Sequence, residues 1–304
     1  MSTGARFSDQ TSLTTKRHAK RHVATKKRHV ASKKRHARAM TVTRASCARH
    51  KVSSGSVTAD SPRVLALVPA RGGSKGIPRK NLQLLGGQPL VVHAVAAARA
   101  ARRVSRVLCS TEDAEIADIA RAAGAEVPFL RPAELAQDAS EDWPVFKHGL
   151  DWLMRNEAWA PDVVVNLRPT SPMRTPSHVD AAIQLLLDTG ADSVKAICLA
   201  RQHPHKMWMR LPNGRIEPYL KTPFRAARGP DVPRAQLEDV YWQNGVVDVT
   251  RREVILGQGV MIGQRVAGLV TALEDSIDID TPLDLALAEL LYARRIAAQA
   301  GPTR

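Results

Sequence analysis

The sequence predicts an α/β protein organised around a doubly wound, mostly parallel sheet. Three observations support this: short apolar runs rich in β-branched residues recur along the chain, segments of helical composition separate them, and two of the runs, Val64 to Val68 and Val163 to Leu167, end in polar loops. A run that is apolar at every position suits a strand covered on both faces. Loops at the carboxyl ends of such strands are where open α/β sheets take their ligands.

The first run leads into Pro69-Ala70-Arg71-Gly72-Gly73-Ser74-Lys75-Gly76-Ile77-Pro78-Arg79-Lys80-Asn81. Its glycines let the backbone approach a ligand, and Arg71, Lys75, Arg79 and Lys80 put four cations within ten residues. That composition is suited to an anion. The common phosphate loops do not fit: Ile77 follows Gly76, no Ser or Thr follows Lys80, and G-x-G-x-x-G fails as well. Glycine and lysine alone leave a merely basic surface loop open.

Pro89 to Arg103 has helical composition, with Leu90, Val91, Val95 and Ala98 on one side, and Val104 to Ser110 reads as the next strand. Glu112 to Ala123 is a second helix that Gly124 can cap. Trp143, Phe146, Leu150 and Leu153 recur at spacings of three and four, an apolar helix face better suited to core packing than to an aromatic ligand platform. After Val163 to Leu167, the segment Arg168 to Arg174 enters the same carboxyl-end crevice as the glycine loop. Ser177 is the expected N-cap of a helix running to about Asp188, and Ala191 to Leu199 is another strand.

From Ala200 to Tyr241 the periodicity breaks at Pro204, Pro212, Pro218, Pro223, Pro230 and Pro233. So long an irregular stretch inside a domain is more often functional or an interface than idle. The chain rejoins the sheet at Val246 to Val249 and closes with a helix over Pro282 to Ala298.

The net charge of +16 on 304 residues belongs mostly to the first sixty, which hold 15 Lys and Arg against Asp9 and Asp60, a net +13. The high pI therefore describes a tail and not the body. That tail carries an imperfect seven-residue repeat, Lys20-Arg21-His22-Val23-Ala24-Thr25-Lys26, Lys27-Arg28-His29-Val30-Ala31-Ser32-Lys33, then Lys34-Arg35-His36-Ala37. Few large apolar side chains offset its entropy and its charges repel, so residues 1–61 are expected to form a disordered, basic, His-rich tail. Five readings of it stay open: a nonessential extension, an arm for nucleic acid or an anionic surface, a transit peptide, a weak metal site, or a start of translation further on, for example at Met40.

No apolar run approaches the length of a membrane span. Cys47, Cys109 and Cys198 are scattered with no C-x-x-C spacing, which argues against a disulfide framework or zinc site and fits a reducing, cytoplasmic setting. Cys109, in a strand, is expected to be a core residue and not a nucleophile.

With Lys80-Asn81, the glycine loop resembles the signature of the acylneuraminate cytidylyltransferases, which activate acidic sugars with CTP. The resemblance extends over about Val64 to Leu291. Leu130-Arg131-Pro132-Ala133-Glu134-Leu135 is similar to the family's L-R-P-x-E-L, Pro169-Thr170-Ser171-Pro172-Met173-Arg174 to its P-T-S-P-x-R, Asn244-Gly245 to the N-G before a late strand, and Asp275 to Thr281 to its D-S-I-D-I-D-T. It implies a cytidylyltransferase domain over residues 62–300 with a lid or dimerisation excursion at about 200–241, and a homodimer. It also implies the reaction of CTP with an acidic 2-keto sugar, sialic acid or a related nonulosonate, to give CMP-sugar and pyrophosphate.

Such a reaction accumulates negative charge on phosphoryl oxygens, so fixed cations and backbone donors are its main resource. Arg71 and Lys80 are the leading candidates, with Lys75 and Gly72 on the same loop and Asn81 assigned by the motif to the nucleotide. Asp278 and Asp280, two apart in an extended-looking segment, would share one face. Two hard oxygen ligands beside a triphosphate suit Mg²⁺ or Mn²⁺. In the family this pair holds the metal and one member helps deprotonate the sugar hydroxyl, although an N-cap role for Asp280 before Thr281-Pro282 stays open.

Arg131 and Ser140 match residues near the cytidine, with a surface ion pair and a helix cap as their structural alternatives. Arg168 stands where sialic-acid members commonly carry glutamine, and Tyr241-Trp242-Gln243 precedes Asn244-Gly245 where other residues are usual. The sugar is thus left open, an octulosonate or another nucleotide included. Arg168 suits a sugar carboxylate through a bidentate contact. Arg234 and Asn244 match further sugar-site positions, and His203 and His205 are read as loop residues with a substrate contact in reach. A reading from a different class makes the chain a basic-arm nucleic-acid binder with an inactive body. The joint presence of Arg71, Lys80, Asp278 and Asp280 argues against it.

Overall fold

Val64–Pro69 forms β1, an inner strand of a six-stranded sheet, and its alternation assigns the two layers around it. Val64, Ala66 and Val68 pack with one buried cluster, whereas Leu65 and Leu67 pack with another on the opposite face. The computed structural model describes residues 61–222 and 232–300. The basic tail, Ser61 excepted, lies outside the described residues, as does part of the proline-rich excursion.

The helices α1 (Leu90–Ala100), α2 (Ala114–Ala122) and α4 (Pro176–Thr189) cover the first face through residues such as Val91, Ile116 and Ile183. Helix α3 (Asp142–Glu157) covers the second with Phe146, Leu150 and Leu153. Gly149 brings α3 close to the sheet, because a Cβ there would lie 3.0 Å from Leu67. Truncating a fully buried side chain such as Leu67 to alanine costs about 2–5 kcal/mol.

The other strands of this sheet are β2 (Arg106–Ser110), β3 (Val163–Asn166), β4 (Ser193–Leu199), β5 (Tyr241–Arg251) and β6 (Val266–Val270), and the sheet order is β6-β4-β5-β3-β1-β2. Within this sheet β1 is parallel to both neighbours, β4 is parallel to β6, and only β5 runs antiparallel to its partners. The predicted mostly parallel, doubly wound sheet is therefore present. From β1 the chain goes one way to β2 and returns past β1 to β3, which opens a crevice at the carboxyl ends. Helix α5 (Pro282–Ala300) closes the chain and packs through Leu285, Ala288 and Tyr292 on a third cluster containing Ile77, Met173 and Ile279.

Two local expectations change. Helix α4 is capped by Thr175 and not Ser177: Thr175 Oγ1 accepts from the His178 amide, His178 Nδ1 accepts from the Thr175 amide, and Pro176 takes the first helical position, where no amide is needed. Strand β5 starts five residues before Val246, so Asn244-Gly245 lies inside it. The pairing with β4 shifts register between Lys195 and Ile197, and Gly245 at φ +70° supplies the left-handed residue at that irregularity.

Cys109 is fully buried and burial pushes its thiol up to about 12, as a core residue requires. Among the described residues no helix is long and apolar enough to cross a membrane.

Candidate active site

The glycine loop leaves β1 at a cavity of about 320 Å³ lined by Arg71, Lys80, Asn81, Arg131, Asp138, Ser140, Asp142, Arg168, Asp278 and Asp280, among others. It lies beside the carboxyl ends of β1 and β3, with the segment after β6 completing the wall. Eight of the residues singled out in the sequence thus converge: Arg71, Lys80, Asn81, Arg131, Ser140, Arg168, Asp278 and Asp280.

The four cations of the glycine loop divide into two groups. Arg71 donates to Asp138 Oδ1 at 3.0 Å and Lys75 reaches Asp138 Oδ2 at 2.6 Å, while Lys80 Nζ sits 2.8 Å from Asp280 Oδ1. Arg79 turns away to the start of α2, where it meets Asp113 at 3.1 Å and Glu115 at 2.7 Å. Arg79 also adopts a left-handed φ of 50°, which turns the chain into the short 3₁₀ segment holding Lys80 and Asn81. The buried Asn81 amide donates to the Arg71 carbonyl at 2.8 Å, and its Oδ1 has no protein partner among the described groups.

Packing explains two of the three loop glycines, Gly72 and Gly76, whereas Gly73 lines the cavity and a Cβ there would meet nothing. A Cβ on Gly72 would collide with Asp113, and one on Gly76 would run into the Asp280 carbonyl. The amide of Gly72, on the loop expected to take an anion, donates to Glu112 Oε1 at 2.7 Å.

Glu112 is a residue that sequence reasoning missed. Its second oxygen accepts from Arg131 at 2.7 Å, so one carboxylate ties the glycine loop to the arginine of the Leu130-to-Ser140 loop. The Arg131 side chain is only 3% exposed and its Nε has no partner among the described groups. Ser140 lines the cavity with its hydroxyl donating to the Glu134 carbonyl. Asp138 was missed as well. Its contact with Lys75, above all, holds its carboxyl below the usual range, with Arg71 adding to the effect.

Arg168 is held by two carboxylates that were not anticipated, Asp248 at 3.0 Å and Asp142. Asp248 also takes Lys195 at 2.8 Å, and Asp142 sits in the first turn of α3, where negative charge is favoured. Burial opposes the Arg168 charge, but Asp142 and Asp248 outweigh it and raise its pKa. The bidentate face expected for a sugar carboxylate is thus already engaged, although each terminal nitrogen keeps a second N–H.

Asp278 and Asp280 both face the cavity while Ile279 between them is buried in the core, the two-residue alternation expected of extended chain. The Ile279 amide bonds to the Thr170 carbonyl at 2.8 Å, fastening this segment to the loop after β3. Asp278 Oδ1 is buried without a partner among the described groups. The cap of α5 is made by Thr281 with Asp284, whose carboxylate accepts from the Thr281 amide at 2.8 Å. The Asp280 carboxylate is therefore free of the capping role left open for it.

Four sequence candidates do not line the cavity: Gly72 and Lys75 stand beside it on the glycine loop, and Asn244 and Arg234 lie elsewhere. Asn244 is buried, donates to Thr271 at 2.6 Å and Ser276 at 2.8 Å, and fixes the start of the Asp275-to-Asp280 segment instead of lining the cavity. Arg234 also does not line it, and donates to the Ala200 carbonyl at 3.0 Å beside the undescribed part of the excursion. His203 and His205 stack on each other in a short turn of that excursion.

The sequence matches the family model described as Cytidylyltransferase over residues 65–254. It is 32% identical over 235 residues to CMP-N,N'-diacetyllegionaminic acid synthase of Legionella pneumophila, covering 75% of this chain and 96% of that protein. It is also 32% identical over 232 residues to N-acylneuraminate cytidylyltransferase A of Danio rerio, covering 75% of this chain but 50% of that longer protein. In fold it is similar to CMP:2-keto-3-deoxy-manno-octonic acid synthetase complexed with CTP, with a TM-score of 0.55 at 18% identity over 77% of this chain and 99% of that chain.

Proposed function

This chain belongs to the cytidylyltransferase family, and on that premise we propose that it activates a nonulosonic sugar acid with CTP, forming the CMP-sugar and releasing pyrophosphate. The observation that carries this reading is the convergence of Arg71, Lys80, Asn81, Arg131, Asp278 and Asp280 on one carboxyl-end cavity. Relatives named as a CMP-N,N'-diacetyllegionaminic acid synthase and an N-acylneuraminate cytidylyltransferase support the substrate class.

In this proposal the sugar hydroxyl, giving up its proton with help from a carboxylate of the Asp278–Asp280 pair, bonds to the α-phosphorus as the bond from that phosphorus to the bridging oxygen breaks and pyrophosphate leaves. Arg71 and Lys80 meet charge growing on the phosphoryl oxygens, with Lys75 at the rim. The open Oδ1 of Asn81 and the buried Arg131 orient the nucleoside, and Ser140 supplies a hydroxyl on the same wall. Arg168 is the cavity cation assigned to the sugar acid, through the N–H groups that Asp142 and Asp248 leave over.

The unpartnered Asp278 Oδ1 beside the Asp280 carboxylate fits a hard divalent ion, Mg²⁺ or Mn²⁺. Among the described residues no group of three His, Cys, Asp or Glu side chains could hold a metal on its own, so phosphate oxygens and water would complete the shell. When bound, such an ion would neutralise charge on the triphosphate.

The enzyme domain is proposed to span residues 62–300, preceded by the basic tail of residues 1–61, with nucleic acid as a candidate contact of that tail. A homodimer is proposed from the exposed Met207, Trp208, Met209, Ile216 and Tyr219 of the excursion, apolar surface of the kind that partners cover. A cytoplasmic setting suits the free thiols of Cys109 and Cys198. The test is pyrophosphate release from CTP with a panel of 2-keto sugar acids, including N-acetylneuraminate, legionaminate and octulosonate. Turnover with none of them, or with a neutral sugar alone, would refute the proposal.

A further inference from the structure

The carboxylate of Asp138 has a place that the family assignment does not explain. It comes from the Leu130-to-Ser140 loop, yet its two oxygens are divided between two cations of the glycine loop, Arg71 at 3.0 Å and Lys75 at 2.6 Å. Two oxygens of one anion each taking one cation is the arrangement that neighbouring phosphoryl oxygens would adopt there. The cluster is also open to water: Asp138 is 44% and Lys75 83% exposed, so neither contact is locked by burial. Exposed pairs of this kind are weak individually, and a polyphosphate of several negative charges outcompetes a single carboxylate for the same cations.

We propose that Asp138 is a built-in anion surrogate: it occupies Arg71 and Lys75 before the triphosphate arrives and takes them back as pyrophosphate leaves, thereby setting how tightly the cavity holds polyphosphate. The proposal rests on the nucleotide site argued above. It gives Asp138 a defined sign, because a residue that competes with the ligand weakens binding, whereas one that merely scaffolds the cations strengthens it. The same exchange frees the tip of the loop that carries Arg131 and Ser140, so arrival of the triphosphate and settling of the nucleoside become one event.

The experiment compares the full chain with Asp138→Asn and Asp138→Glu at moderate salt, with the basic tail present in all three. Calorimetry gives the affinities for inorganic pyrophosphate and for CTP, and inhibition of turnover by added pyrophosphate is measured beside them. The expected result is that Asp138→Asn binds pyrophosphate several-fold more tightly, up to about tenfold for two exposed pairs, and is more strongly inhibited by it, while Asp138→Glu stays near the wild type. Unchanged or weakened pyrophosphate binding in Asp138→Asn, with wild-type CTP binding intact, would overturn the surrogate role alone. Failure of the wild type to bind CTP would overturn the nucleotide site itself, and the proposal with it.

Discussion

Glu112 offers the sharpest test of how the cavity is held together, since its two oxygens serve different loops: Oε1 takes the Gly72 amide and Oε2 takes Arg131. In Glu112→Ala the Arg131 guanidinium, 3% exposed and with no partner at Nε among the described groups, loses its countercharge. Breaking a fully buried ion pair costs about 3–5 kcal/mol. Glu112 keeps 21% of its surface in water, so a loss of about 1–3 kcal/mol is expected instead. For a domain of this size about 2 kcal/mol corresponds to a fall in Tm of roughly 4–8 °C.

The assay is a double-mutant cycle of Glu112→Ala, Arg131→Ala and the pair, read by urea unfolding and by KM for CTP. A coupling of about 1–3 kcal/mol in stability and non-additive effects on KM are expected. Glu112→Gln should retain the Gly72 bond and rescue part of the stability, but leave KM raised. A coupling below about 0.5 kcal/mol, the limit for independent sites, would refute the idea that one carboxylate links the two loops.

Replacing Asp278 and Asp280 together by Asn should abolish turnover dependent on a divalent ion while leaving the far-UV spectrum and Tm nearly unchanged, and full activity would remove the metal assignment. Lys80→Ala should lower kcat more than it raises KM, and Arg131→Ala should raise KM for CTP or relax base preference, because growing charge meets Lys80 whereas the base stays constant through the reaction. Swapped kinetic signatures would reverse those roles. Removing residues 1–61 should leave turnover intact and abolish salt-sensitive retention on nucleic acid, since a net +13 of the chain's +16 leaves with it; lost turnover would move the domain boundary.

The parts of the fold legible in the sequence were those set by local periodicity. Strand β1 and the apolar face of α3 could be read because burial on both faces, or at spacings of three and four, leaves a direct mark on residue choice. Arg71, Lys80, Asn81, Asp278 and Asp280 could be placed in a shared crevice because they stand in motifs at or after strand ends. Other features depended on pairing across the chain. The Asn244 amide is saturated by Thr271 and Ser276, contacts set by the shifted register of β5 that no motif encodes. Thr175 takes the cap from Ser177 because His178 completes a reciprocal pair with it, whereas Ser177 offers a hydroxyl alone. Glu112 follows β2 at the carboxyl edge of the sheet, so the rule that located the glycine loop would have found it too.

Countercharge for the cavity cations comes from distant segments. Asp138 answers Arg71 and Lys75, Asp280 answers Lys80 across 200 positions, Glu112 answers Arg131, and Asp142 with Asp248 answers Arg168. A cluster of unpaired cations would repel itself and splay the loops that carry it, whereas paired cations hold their positions before any ligand is present. Preorganisation of this kind is what electrostatic catalysis requires. In the proposed reaction, polyphosphate binding would be an exchange of anions, in which the exposed carboxylates, Asp138 at 44% and Asp280 at 71%, give up their cations while the more enclosed Glu112 and Asp248 stay in place. The cations proposed to meet changing charge, Arg71 and Lys80, are thus the ones with displaceable partners. Those assigned to constant parts of the substrates, Arg131 and Arg168, each keep a partner that remains.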